Sequence, residues 1–180
     1  LGSARLFQDI QNPTRSGSGP RIGVITLDGP IQMTNPGSFV QPSGAEGLIR
    51  EIQDLQKDSS LDALLLRINS PGGTVGASQE LYTAIHTFKS NTDLPVIASI
   101  GDVGASGAYW VALAADTIFA NPGSMIGSIG VILSSFDFTT LGEKHGIGMN
   151  TIKGGLYKDV MSPWREMTPE EHTLLQDMVD

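Results

Sequence analysis

The chain has 180 residues, 39% of them hydrophobic, with 22 glycines, no cysteine and a net charge of −8. That length can bury one good core, so a single domain is expected, and the acidic balance argues against a nucleic-acid surface or a basic membrane patch. Without cysteine there is no disulfide framework, no thiol catalysis and no thiolate metal site.

No apolar run approaches the length that spans a bilayer, and no signal peptide is visible. The chain starts at Leu1 rather than methionine, which reads as an excised fragment with any membrane anchor upstream. Asn12-Pro13-Thr14-Arg15-Ser16-Gly17-Ser18-Gly19-Pro20 makes residues 1–20 a flexible lead-in, and the folded domain is expected over 21–180. Ile22 to Leu27 reads as a strand closed by Asp28-Gly29-Pro30, and the Pro-, Gly- and Ser-rich stretch Thr34 to Ser43 as a surface loop. Ala45, Leu48, Ile49, Ile52 and Leu55 recur at helical spacing. Leu61 to Ile68, with Leu64-Leu65-Leu66, predicts a strand buried on both faces. Ala77, Leu81, Ala84, Ile85 and Phe88 predict a second amphipathic helix, Leu94 to Ile100 a strand, and Ala108 to Ala115 a buried helix. This alternation indicates a mainly parallel sheet built from βαβ units.

Further on, Thr117 to Ala120 reads as a short strand and Asn121-Pro122-Gly123-Ser124 as a turn. Ile126 to Leu133 is expected as a glycine-interrupted strand, Leu141 to His145 as the end of a short helix, and Met149 to Ile152 as a further strand. Lys153 to Met167 has no periodicity, although Leu156, Tyr157, Val160, Met161 and Trp164 make it too apolar to stand uncovered in solvent. Thr168-Pro169-Glu170-Glu171 is a helix start, with a capping Thr, Pro at the first position and Glu at the third. That helix runs into the chain end at Asp180, so a C-terminal segment is expected to be missing.

Ser106 sits where a strand hands over to a helix, between Gly104 and Gly107. A hydroxyl there lies near free backbone N–H groups and the positive end of the helix dipole, which suits an attacking oxygen and its oxyanion. The bland alternative is a plain N-cap. A second glycine-rich turn, Asn69-Ser70-Pro71-Gly72-Gly73, follows the preceding strand, and strand ends of a parallel sheet share one rim. The amide of Gly72 or Gly73 can therefore join that of Gly107 in an oxyanion hole; the alternative is ordinary turn punctuation. The Walker spacing with its lysine is absent, as is the dinucleotide fingerprint. A serine nucleophile needs a base. His86, His145 and His172 read as solvated, and Gly104-Ala105-Ser106-Gly107-Ala108 lacks the second glycine of the nucleophile elbow. Lys57, Lys89 and Lys144 lie at helix ends, where a cation complements the dipole. Lys153 and Lys158 remain, and composition does not choose between them.

Asn69-Ser70-Pro71-Gly72-Gly73, Gly104-Ala105-Ser106-Gly107-Ala108-Tyr109, Gly127-Ser128-Ile129-Gly130-Val131 and Gly154-Gly155-Leu156-Tyr157-Lys158-Asp159 with Ser162-Pro163 together resemble the signal peptide peptidase A family of Ser/Lys proteases. The resemblance runs through residues 21–180 in order. It implies a ClpP/crotonase-like α/β fold, Ser106 as nucleophile, Lys158 as general base, Ser128 as a hydrogen-bond partner of that lysine, and Gly72 or Gly73 at the oxyanion hole. Ala108 and Trp110 depart from the family's usual Gly and Tyr, away from the dyad. The resemblance also implies peptide substrates such as signal-peptide remnants, a membrane location on the extracytoplasmic side, and no metal or organic cofactor. It is to the short, single-repeat form, in which the lysine reaches a neighbouring subunit's serine in a closed ring.

A lysine takes a proton only as the free amine. Since its ordinary pKa is about 10.4, holding it neutral near about pH 7.5 costs about 4 kcal/mol, with desolvation as the source. Two other classes share parts of this pattern. A crotonase-type acyl-CoA enzyme would use the two-loop oxyanion hole without a serine nucleophile, and would be retained by CoA rather than labelled at Ser106. A non-catalytic membrane scaffold would turn over no peptide.

Overall fold

The structure, a computed structural model, describes residues 19–34 and 44–180. Most of the expected lead-in, and all but the first residue of the loop expected at Thr34–Ser43, lie outside the described residues. The chain divides into two units, Leu1–Gly127 and Ser128–Asp180.

The first unit strings together β1 (Ile22–Asp28), α1 (Ala45–Leu55), β2 (Ala63–Ser70), α2 (Val75–Thr92), β3 (Val96–Ala105), α3 (Gly107–Ala112), β4 (Thr117–Ala120) and β5 (Met125–Gly127). All pairings are parallel, in the order β1-β2-β3-β4, with β5 also on β3. This is the βαβ architecture that the alternating pattern predicts. Alternate side chains of the strands turn to one buried face: Ile25 and Leu27, then Leu64, Leu66 and Ile68, then Val96, Ala98 and Ile100. Ile52 of α1, Leu81, Ile85 and Phe88 of α2, and Ala108 and Val111 of α3 complete that core. The other face of β2 differs from expectation. Leu65 is only half-buried and Arg67 and Asn69 are exposed, because the core helices all pack on the side of Leu64 and Leu66. Asp93, in the left-handed region at φ 54°, ends α2 and turns the chain into β3.

The second unit holds α4 (Thr139–His145) and α5 (Pro169–Val179). Gly146 ends α4 at φ 66°; the ring of Phe136 stacks on Phe138, and that of Trp164 meets Phe138 at a tilt of 54°. At the start of α5 the expected capping box is present: Thr168 Oγ1 accepts from the Glu171 amide at 3.2 Å, and the Thr168 amide donates to the Glu171 carboxylate at 3.0 Å. Two strand expectations fail. The strand expected over Ile126–Leu133 ends at Gly127, and Met149–Ile152 forms no strand. Apolar, β-branched sequence becomes a strand only against a partner. Here Ile129, Ile132 and Ile152 stand 85%, 91% and 103% exposed.

Leu64→Ala is expected to lower the stability of the first unit by about 2–5 kcal/mol, since Leu64 is wholly buried in the core. Ile132→Ala should change stability by no more than about 0.5 kcal/mol. Urea unfolding followed by tryptophan fluorescence separates the two.

Candidate active site

The site grows out of an irregularity in β3. Ile68 pairs with Ile100, yet Ser70 pairs with Gly104, so β3 carries extra residues across this step. Residues pushed out of a ladder leave backbone groups without strand partners. Two side chains take their place. Asn69 Oδ1 accepts from the amides of Asp102 and Val103, each at 3.2 Å, and Ser124 Oγ donates to the Gly101 carbonyl at 2.6 Å. Below the break β3 pairs with β4 through Ile97–Ile100, and above it with β5 through Val103–Ala105. The strand expected to stop at Ile100 thus continues to Ala105 and delivers Ser106 directly to α3.

Ser106 has φ 52° and ψ −126°, an unusual conformation for a residue with a side chain. Its amide donates to the Gly127 carbonyl at 2.7 Å. It stands at the N-cap position of α3, yet its hydroxyl makes no capping hydrogen bond. The Gly72-Gly73 turn lies directly against it. Gly72 is at φ 94°, and a Cβ there would lie 2.8 Å from Ser106 Cβ and 2.7 Å from the Gly107 nitrogen. Only glycine permits that approach. The turn is pinned from outside: the Ile31 amide donates to the Gly72 carbonyl at 2.9 Å and the Thr74 amide to the Ile31 carbonyl at 2.9 Å. From inside, buried Ser70 Oγ accepts the Gly72 amide at 3.1 Å. Among the described residues, the amides of Gly73 and Gly107 have no hydrogen-bond partner. Gly72 therefore shapes the turn with its amide already engaged, while Gly73 and Gly107 keep theirs free.

Ser128 and Lys158 belong to the second unit. Ser128 is exposed at φ 52°, next to Gly127 at φ 103°. Lys158 is exposed, and its ammonium makes no hydrogen bond or ion pair among the described residues. Lys153, the alternative base, is engaged: it donates to Asp159 Oδ1 at 2.5 Å and to the Leu156 carbonyl at 3.0 Å. Its amino group is thus already taken up by two acceptors. His86, His145 and His172 are all exposed, and Lys89 is paired with Asp116 at 2.6 Å. Nothing in residue spacing marks the Ser124 side chain or Arg165, and Asn69 lies in the Asn69–Gly73 turn, where the glycines carry the visible signal. Among the described residues no cluster of His, Asp and Glu has metal-site geometry.

A model of peptidase family S49 matches residues 89–180, and one of the Clp protease family matches residues 33–126. A relative from Synechocystis sp. is 41% identical over 138 residues, 77% of this chain and 49% of that protein. Serine protease SPPA, chloroplastic, of Arabidopsis thaliana is 35% identical over 167 residues, 89% of this chain and 24% of that protein. The chain spans about half or less of the length of these curated relatives. Among solved structures, the 1510-N membrane-bound stomatin-specific protease aligns with TM-score 0.50 at 18% identity, over 66% of this chain and 52% of that one. Together with the Clp protease match, this gives the ClpP/crotonase-like α/β fold that the sequence resemblance implied.

Glu171 is buried, and hydrogen bonds from Arg165 and then from the Thr168 amide hold its carboxyl down at about 2, against an ordinary 4.5. A carboxylate whose pKa is lower folded than unfolded stabilises the fold while ionised. That contribution is whole above about pH 4.5 and is lost as the pH falls toward 2. Acidification through this window should loosen α5, and Glu171→Gln should flatten the acid limb. Far-UV circular dichroism against pH measures both.

Proposed function

The chain belongs to peptidase family S49, and from that premise we propose that it is a serine endopeptidase using Ser106 as nucleophile and Lys158 as general base. One observation carries this reading. Ser106 is held in a strained backbone conformation against a glycine turn, and among the described residues its hydroxyl and the neighbouring amides of Gly73 and Gly107 have no hydrogen-bond partner. In the proposed reaction the neutral Lys158 amine takes the Ser106 hydroxyl proton as Oγ bonds to the peptide carbonyl carbon. The oxyanion is received by the Gly73 and Gly107 amides, with Gly72 giving the turn its shape. Collapse breaks the C–N bond, the lysine returns the proton to the departing amine, and an acyl-enzyme remains on Ser106. Water, deprotonated by the same lysine, releases the acid. Ser128 orients the amine without adding charge. The engagement of Lys153 with Asp159 favours Lys158 as base.

The substrates proposed are hydrophobic peptides at or near a membrane, signal-peptide remnants among them. Among the described residues no helix is long and apolar enough to cross a bilayer. The site is proposed to form between protomers of a closed, ring-like homo-oligomer. The second unit supports this: Ile129, Ile132, Ile152 and Leu156 are exposed at 85%, 91%, 103% and 71%, which is apolar surface suited to a second copy.

Ser106→Ala and Lys158→Ala should each reduce cleavage of a hydrophobic fluorogenic peptide by about 1000-fold or more with the fold retained. A dead Lys153→Ala beside an active Lys158→Ala would reverse the choice of base. Mixing the two inactive proteins under conditions of subunit exchange should restore part of the activity. Inactive mixed assemblies, verified by differential tags, would place the dyad within one chain.

A further inference from the structure

The second unit contains a part-buried charge cluster, with Arg165 31% exposed, that the proposed chemistry does not use. Arg165 donates through Nε to Asp159 Oδ2 at 3.0 Å and through Nη2 to Asp159 Oδ1 at 2.8 Å. Nη2 also donates to the Asp159 backbone carbonyl at 3.2 Å. The same guanidinium reaches Glu171, with Nη1 to Oε2 at 2.8 Å and Nη2 to Oε1 at 2.5 Å. A further bond from Nη1 holds the Glu166 carbonyl at 3.0 Å. All three guanidinium nitrogens of Arg165 therefore donate. Both carboxylates are withdrawn from solvent, at 14% and 4% side-chain exposure.

Asp159 follows Lys158 directly in the chain. Its carboxylate is fully occupied, by Arg165 on both oxygens and by Lys153 on Oδ1. Its backbone carbonyl is held as well, so the main chain one residue from Lys158 is fixed to Arg165. Arg165 is in turn fixed to the first turn of α5, because Glu171 serves both the guanidinium and the Thr168 capping box. Residues 153–171, which lack periodic structure before α5, thus acquire a rigid frame from charge-assisted hydrogen bonds in place of a ladder. Arg165 holds the Asp159 carboxyl well below the usual carboxylate range, with Lys153 adding to the effect, so it stays an anion tied to these cations.

We propose that Arg165 is a positioning residue for Lys158: its grip on Asp159 and Glu171 fixes the backbone that carries the lysine and keeps the adjacent carboxylate from pairing with its amine. This rests on Lys158 being the base. A free Asp159 would be the nearest anion in sequence to that amine, and an ion pair between them would give a cation unable to accept the Ser106 proton. Arg165 prevents this without touching substrate. Its loss should therefore appear in turnover and not in substrate binding.

The test uses the full-length protein with Arg165→Gln, Arg165→Lys, Lys153→Met and Lys158→Ala, assayed on a short hydrophobic fluorogenic peptide with thermal melts alongside. Folded Arg165→Gln should lose about tenfold or more in kcat with KM within about twofold of wild type. Arg165→Lys keeps the charge but not the fork and should recover only part of the loss. Should Arg165→Gln not fold, Lys153→Met removes one partner of Asp159 and leaves α5 alone; it should lower kcat about threefold with KM unchanged. If Lys158→Ala is dead while folded Arg165→Gln, or Lys153→Met in its place, turns over like wild type, the positioning role is wrong and the base assignment stands. A loss confined to KM overturns it equally. If Lys158→Ala retains activity, the base assignment falls and the positioning role with it.

Discussion

The side-chain carbonyl of Asn69 accepts two β3 backbone amides where the β2–β3 register breaks, and the geometry around Ser106 depends on that substitution. A regular β3 paired with β2 throughout would have a different length by the time it reached the rim. The irregularity between Ile100 and Gly104 lets β3 run further than its neighbour, while Asn69 and Ser124 satisfy the groups it leaves open. It also splits the other side of β3 between β4 and β5, and β5 ends on Gly127, whose carbonyl holds the Ser106 amide. Nδ2 of Asn69 continues the tie to Asp28 on β1 at 3.2 Å. One side chain thus fastens three strand ends beneath the turn that Gly72 lays against the serine.

The two units are held by different forces. In the first, a continuous apolar core covers one face of the sheet and sets the rim as a by-product of close packing. In the second, buried side chains are few and Glu171 is one of them, so the irregular stretch relies on directed polar bonds. Directed bonds hold a short segment in one geometry where apolar contact alone would allow several.

Much of the first unit was legible in the sequence because its causes are local. The periods of Leu48, Ile52 and Leu55, or of Leu81, Ile85 and Phe88, follow from helical geometry and an apolar neighbour. The junction at Ser106 was legible for the same reason: an apolar run, glycines, then alanines. The extension of β3 was not, since it depends on register between strands far apart in sequence, and composition at Gly101–Val103 reads as a turn. Ile126–Leu133 and Met149–Ile152 have the composition of strands, but pairing is a property of two segments, and composition describes one. Lys153 and Lys158 looked alike because what separates them is a carboxylate six residues from the first, brought back by chain folding.

Ser106 at φ 52° has a consequence for how this protein can change over time. A non-glycine residue held in a sparsely populated region costs on the order of 1–3 kcal/mol, and the surrounding bonds must sustain it. Glycine at 106 would release that energy and remove the hydroxyl in the same step. Selection for stability alone therefore points away from the proposed nucleophile, and a lineage freed from the need for turnover would drift toward a firmer, inactive relative. A serine in this conformation is what the proposed chemistry asks for and what stability alone does not favour.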